Sequence, residues 1–385
     1  MSQYQDIGGL GRHYLQADSY GAAAFCFYRA ILEDRANGNA WNGLILALSL
    51  MRKEHDAQTV LARYALHHEL LEFDRDLITF SMMLWQQNPG ALGEWMQLIS
   101  QMKGVSEKDK PLFEEMAADM HKAYDELVEK HGIDTLKEQG LLTLPEYAAR
   151  RIELDWLMEE SFDAIFEHVN KWIEDPEAVL TAVRLLCMVP DPRSEKLLRR
   201  VCRNEEVDGK VRTHALLALR WLGVRGNARL NKFGESFVIN LDQPEPELTV
   251  SVPAAFKPAL DRMKLWMAKE QGVITEFEYE SHAATDQLDM PETLAAKLEK
   301  ADVPSVLQEV AHALIRAAYD KYYPLVPGIK GARQWSAALL MLIKEYVEGS
   351  GETWSYGEPE RDETAVRHRN WLLSGSPNYV DTMHI

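Results

Sequence analysis

The sequence predicts a mainly α-helical chain, an α-α superhelix or α-solenoid of stacked helical repeats, on three observations. A pattern of apolar and small residues near the start recurs at 34 positions, and a second pattern near the middle recurs at 33. Both intervals are long enough for one two-helix unit. The third observation is an ordinary globular composition, with 46% hydrophobic and 26% charged residues among 385. No apolar run approaches the roughly 18 residues of a membrane-spanning helix, so such a span and a wholly disordered chain are both excluded. At roughly 150 residues per domain the length suggests two or three domains.

The first pattern is carried by Ile7, Leu10, Gly11, Tyr14, Ala23, Phe27 and Ala30. Ile7 to Trp41, Leu10 to Leu44, Ala23 to Ala57 and Phe27 to Leu61 are each 34 residues apart. This segment, about residues 4 to 71, resembles the tetratricopeptide repeat (TPR) family, whose period is 34. A degenerate third copy is expected over residues 72 to 105, where Ile78, Met82, Ala91, Trp95 and Leu98 keep the spacing. Arg35 and Ile45 depart from the family pattern, which has proline and a small residue at those places. In that family the first helix of each unit lines a groove that takes an extended peptide or a helix. The resemblance therefore implies a partner-binding set of Gln5, Arg12 and Gln16 from the first copy and Asn39, Asn42 and Leu46 from the second. An asparagine there can donate to and accept from a peptide backbone at once. Only one of the six is basic, so the family's carboxylate clamp for acidic C-termini is not implied.

The stretch from Asp175 can be laid on the stretch from Asp208, Ala178 over Val211, Ala182 over Ala215 and Leu186 over Leu219. It resembles HEAT-like repeats of the phycobilisome-lyase type through Val211, Arg212, Ala215, Leu219, Leu222 and Gly223. The first copy is looser, with Val179 where the second has Arg212. Between the repeat zones, Phe113, Met116, Met120, Tyr124 and Leu127 mark one amphipathic helix, and Trp156, Phe162, Ile165, Val169 and Trp172 continue the helical stack. One small β-hairpin is expected near 236–252, its strands SFVINL and ELTVSV flanking DQPEP. Helices follow at 303–323 and 333–347. The resulting organisation is TPR-like repeats over 1–105, a stack with HEAT-like repeats over 106–232, the hairpin and a helical region over 233–349, and a loosely packed tail over 350–385.

Catalytic signatures are missing: there is no glycine-rich phosphate loop, G-x-S-x-G, H-E-x-x-H or C-x-x-C. Glu309 and His312 sit one helical turn apart, but a di-iron bundle needs a second such pair, and a helix-surface pair is the plainer reading. No metal or cofactor is expected, and the chain reads as a non-catalytic scaffold. Cys26, Cys187 and Cys202 are odd in number and widely spread, and the start MSQYQDIGGL has no basic or apolar leader character. Both features point to a reducing, cytoplasmic setting in which the thiols are small buried apolar groups.

Against a net charge of −18, residues 193–232 reverse the sign: eleven basic residues face only Glu195, Glu205, Glu206 and Asp208. Arg193, Lys196, Arg199, Arg200 and Arg203 fall at helical spacings and, with Arg220, form a candidate anion-binding set. The competing reading is internal neutralisation by the acidic run Glu153, Asp155, Glu159, Glu160 and Asp163. Nucleic acid is the weaker partner, because the net charge repels a polyanion and Trp221 is the one aromatic there for stacking. The leading expectation is an adaptor that binds an unidentified protein or peptide, with polyanion binding through 193–232 as the alternative.

Overall fold

The computed structural model describes residues 6–67, 75–283, 290–301 and 303–382. These residues are mainly helical, with one two-stranded antiparallel sheet among them. The chain divides into two compact units, one made of residues 1–207 and 215–226 and the other of 208–214 and 227–385.

Unit 1 opens with α1 (Ile7–Gln16), α2 (Tyr20–Glu33), α3 (Gly38–Leu50) and α4 (Glu54–Ala65), each packed on the next, with α1 also on α3. Asp6 and Asn37 cap α1 and α3 by accepting from the backbone N–H groups of Gly9 and Ala40. The seam is set by Phe27 on α2, which is 1% exposed. A Cβ on Gly11 of α1 would lie 2.9 Å from its ring, and one on Gly43 of α3 would lie 2.5 Å away. The two glycines therefore let neighbouring helix backbones close on one aromatic ring.

The unit continues through α5 (Arg75–Leu84), α6 (Pro89–Ser100), α7 (Lys110–His131), α8 (Ile133–Glu138), α9 (Leu144–Ala149) and α10 (Glu153–Glu159). It ends with α11 (Phe162–Glu174), α12 (Val179–Leu186), α13 (Pro192–Arg203) and the greater part of α14 (Gly209–Leu222). Trp85 and Trp95 are wholly buried. Asn88, which caps α6, also donates to the Leu142 carbonyl at 2.9 Å and the Tyr147 hydroxyl at 3.1 Å, fixing α6 against α9. Arg63 on α4 ties that helix to the chain around α9 and α10. Its guanidinium meets both Asp155 oxygens at 2.8 Å and donates to the carbonyls of Ala148 at 3.1 Å and Arg150 at 2.6 Å. Tyr28 on α2 donates its hydroxyl to the same carboxylate. Burial pushes the Asp155 carboxyl up, yet Arg63, the Ile152 N–H and the Tyr28 hydroxyl together hold it below the usual aspartate value. Cys26, Cys187 and Cys202 are free and buried, and burial raises the three thiols.

Unit 2 holds the hairpin and the last helices. Strand β1 (Asn227–Lys232) pairs with β2 (Glu235–Asn240) in the register Asn227↔Asn240 to Lys232↔Glu235. This corrects the hairpin expected near 236–252: only its first half is a strand, and the partner lies upstream. Segment 227–232 has no β-branched residue, but Ala228 and Leu230 are buried between exposed Asn227 and Arg229, a period of two that the composition hides. Around 247–252 local bonds occupy backbone groups that a ladder would use: the Tyr319 hydroxyl donates to the Glu247 carbonyl at 2.9 Å, and Ser251 N–H donates to Thr249 Oγ1 at 3.1 Å.

The helices of unit 2 are α15 (Lys257–Glu270), α16 (Glu276–Ala283), α17 (Glu292–Leu298), α18 (Ser305–Tyr322), α19 (Ala332–Gly349), α20 (Glu363–Gly375) and α21 (Tyr379–Thr382). Helix α19 is the hub: α15, α18, α20 and α21 pack on it, around buried Trp335, Leu339, Leu342 and Ile343. The expected loose tail is thus largely helical and docked. Leu372 and Tyr379 are buried, the Tyr379 hydroxyl donates to the Leu342 carbonyl at 2.7 Å, and Arg369 forks onto Glu345 at 2.6 and 2.7 Å. Lys232, the last residue of β1, is 1% exposed. Its ammonium donates to the carbonyls of Asp320, Lys321 and Tyr323 at the end of α18 and to Thr213 Oγ1, over 2.7 to 3.0 Å. Burial drives its pKa down from 10.5 to about 7, while Asp320 pulls the other way.

Two outcomes follow from these ties. Arg63→Ala leaves Asp155 and two carbonyls without their donor and should cost about 3 kcal/mol in denaturant unfolding. Lys232 binds a proton more weakly in the fold than in the unfolded chain, so its ammonium form weighs against folding below pH 7. That cost is relieved as pH rises towards 10.5. The stability of the wild-type chain relative to Lys232→Met should therefore increase between pH 7 and 10, measured by parallel unfolding curves. A flat difference would contradict the burial argument.

Candidate functional site

Of the six residues implied for a peptide groove, five are described and Gln5 lies outside the described residues. Arg12 and Gln16 stand one turn apart on α1 and are exposed. Asn39, Asn42 and Leu46 follow at helical spacing along one stripe of α3, Asn39 exposed and the other two half-buried. Because α1 packs on α3, the two polar stripes belong to adjacent helices. The Arg12 guanidinium and the exposed Asn39 amide can donate to peptide carbonyls and Asn39 can accept from a peptide N–H, whereas the Asn42 Oδ1 is buried.

The basic segment does not stay together. Arg193, Lys196, Arg199, Arg200, Arg203 and Arg220 belong to unit 1, whereas Lys210, Arg212, Arg229 and Lys232 belong to unit 2. Within unit 1 most of the candidate anion-binding residues meet carboxylates. Arg193 bonds Asp191 at 2.9 to 3.0 Å and Asp163 of α11 at 2.6 Å, and its guanidinium lies 4.2 Å from the Phe166 ring centre. These bonds hold the Asp191 carboxyl below its usual value and push the guanidinium further up. Arg199 pairs with Glu195 at 2.8 Å, Arg200 with Glu174 at 3.6 Å, and Arg220 with Asp18 at 2.8 Å. Arg203 donates to the Arg199 carbonyl at 2.9 Å. Lys196 is exposed on the same helix.

The acidic run is engaged in turn: Lys53 pairs with Glu153, Arg63 with Asp155, and Arg151 with Glu159. Among the described residues the expected neutralisation by that run is therefore met only at Asp163, and the basic residues of unit 1 turn instead to Asp18, Glu174, Asp191 and Glu195. Glu309 and His312 stand one turn apart on α18, and among the described residues no group of three or more His, Cys, Asp or Glu side chains could hold a metal ion. No helix among them is long and apolar enough to cross a membrane.

Internal pairing predicts that α13 offers little to a polyanion. Filter retention of DNA or RNA at about 50 mM salt should be negligible and unchanged by Arg199→Glu with Arg203→Glu; retention that the double reversal abolishes would restore the external-anion reading. No protein-family model, no curated protein and no solved structure matches this chain.

Proposed function

We propose that this chain is a non-catalytic adaptor of the cytoplasm, a stack of TPR-like and HEAT-like repeats that holds a peptide or helix of a partner protein across α1 and α3. The observation that supports this reading is the pair of polar stripes, Arg12 with Gln16 and Asn39 with Asn42, on two helices whose other faces are spent on packing. Arg12, Gln16 and Asn39 are exposed, and exposed side chains contribute little to folding. A backbone-directed amide pair suits an extended segment read mainly through its main chain. Polyanion binding by α13 is less well supported, because three of its four arginines, Arg193, Arg199 and Arg200, already face carboxylates of their own unit.

The reading is tested by panning a displayed peptide library on the wild-type chain and measuring the enriched peptides by fluorescence anisotropy. Arg12→Ala combined with Asn42→Ala should weaken them by about tenfold or more, a loss of about 1.4 kcal/mol, with the melting temperature unchanged. Peptides that bind the double variant as tightly as the wild type would move the site elsewhere.

A further inference from the structure

Unit 2 contains a cavity of about 360 Å³ that the peptide reading does not use. Its walls carry four cations, Lys210, Arg212, Lys232 and Lys321, and one carboxylate, Asp208. Asp208 is engaged at the start of α14, its Oδ1 accepting from the Lys210 N–H at 2.8 Å. The three ammonium groups are held by oxygens that position them without cancelling their charge. Lys321 donates to the Ser374 carbonyl at 2.7 Å and Lys210 to the Gly375 carbonyl, so two consecutive carbonyls at the end of α20 hold the two side by side. Lys232 is fixed behind them on the end of α18. Asp320 of α18 faces His214 at 3.3 Å and, with Asp208, favours the charged form of Lys232. Among the described residues none of the three lysines forms a salt bridge. Capping of the α20 end accounts for one N–H of Lys210 and one of Lys321, and each ammonium carries two more donors.

A second, independent feature stands at the same cavity. Phe233 occupies the first central position of the hairpin turn at φ +56°, followed by Gly234 at φ +75°. Such turns take Asn, Asp or Gly, and an aromatic residue there is held at a conformational cost. The ring is 50% exposed, lines the cavity and stacks on Tyr322, centroids 6.3 Å apart and planes 19° from parallel. Tyr322 and the Lys232 ammonium, 5.7 Å from the ring centre, cover part of the ring and leave half of it open at the cavity. A flat ligand group laid on it would cover that open half.

We propose that this cavity binds a small phosphate monoester carrying a flat ring, a nucleoside monophosphate in type, with the phosphoryl group between Lys210 and Lys321 and the ring on Phe233. A phosphoryl dianion supplies the charge and the acceptor oxygens that the two ammonium groups lack, and Lys is well suited to phosphate as a compact point charge. The volume falls within the range of small-molecule pockets. This site is independent of the peptide groove, and either can fail alone.

Isothermal titration of the full chain with AMP, adenosine and inorganic phosphate tests it. AMP should bind one site at least about tenfold more tightly than phosphate or adenosine. Lys210→Gln with Lys321→Gln should lower AMP affinity by about tenfold or more. Phe233→Asn keeps a residue that accepts the left-handed backbone, so the fold and the phosphate affinity should persist while AMP weakens to the level of phosphate. No saturable binding of AMP, equal affinity for AMP and phosphate, or AMP affinity indifferent to Phe233→Asn would overturn the assignment.

Discussion

The arrangement of unit 1 depends on one guanidinium. Arg63 projects from the fourth helix into a place where two carbonyls, one carboxylate and one tyrosine hydroxyl converge, and it donates from each of its nitrogens. Burying that charge is tolerable only because its partners are fixed before it arrives: Asp155 is already bonded to the Ile152 N–H at 2.9 Å as part of the start of α10. The planar fork suits this spread of acceptors, and a lysine could not span it. Unit 2 solves a similar problem with the opposite choice. There a compact ammonium, Lys232, sits on the converging carbonyls at one helix end, where a point charge serves better than a fork. Each unit is thus organised around a cation that binds main chain as well as side chain, and in each the cation comes from a part of the sequence far from what it holds.

Much of the helical architecture was legible because close packing leaves a periodic record. Phe27 and the glycines facing it mark a seam in which small residues of two helices close on one large ring. The two late helices fall on the segments whose apolar residues recur at three and four. The hairpin was misplaced for a physical reason. Strand formation in 227–232 is driven by burial of Ala228 and Leu230 and by the Phe233–Gly234 turn, not by β-branched composition, and composition was the signal read. The tail looked loose because Leu372, Gly375 and Tyr379 are single contacts with no repeat. Yet a Cβ on Gly375 would come within 2.3 Å of the Ala318 backbone, which measures how closely α20 approaches α18.

The candidate sites show the same limit more sharply. A run of basic residues along the chain is a statement about sequence neighbours, and the fold parts them: Arg193 turns to Asp163, thirty positions earlier, while Lys210 turns to Gly375, far later. The cation-lined cavity draws on residues 208–212, 232–233, 321 and 374–377, and no local motif links these four segments. The one signal that could have drawn notice is Phe-Gly at a position where a tight hairpin would place Asn-Gly. By contrast the residues of α1 and α3 were named only through the TPR resemblance, and spacing alone says no more than that each set lies along one helix.

The placement of the cysteines gives the molecule a built-in asymmetry. All three lie in unit 1, 6%, 0% and 0% exposed for Cys26, Cys187 and Cys202, and unit 2 has none. A thiol reagent added to the native chain can react only through openings of unit 1, and it is blind to openings confined to unit 2. Cys26 lies on α2, Cys187 just past α12 and Cys202 on α13. The order in which the three become labelled therefore records which part of unit 1 opens first.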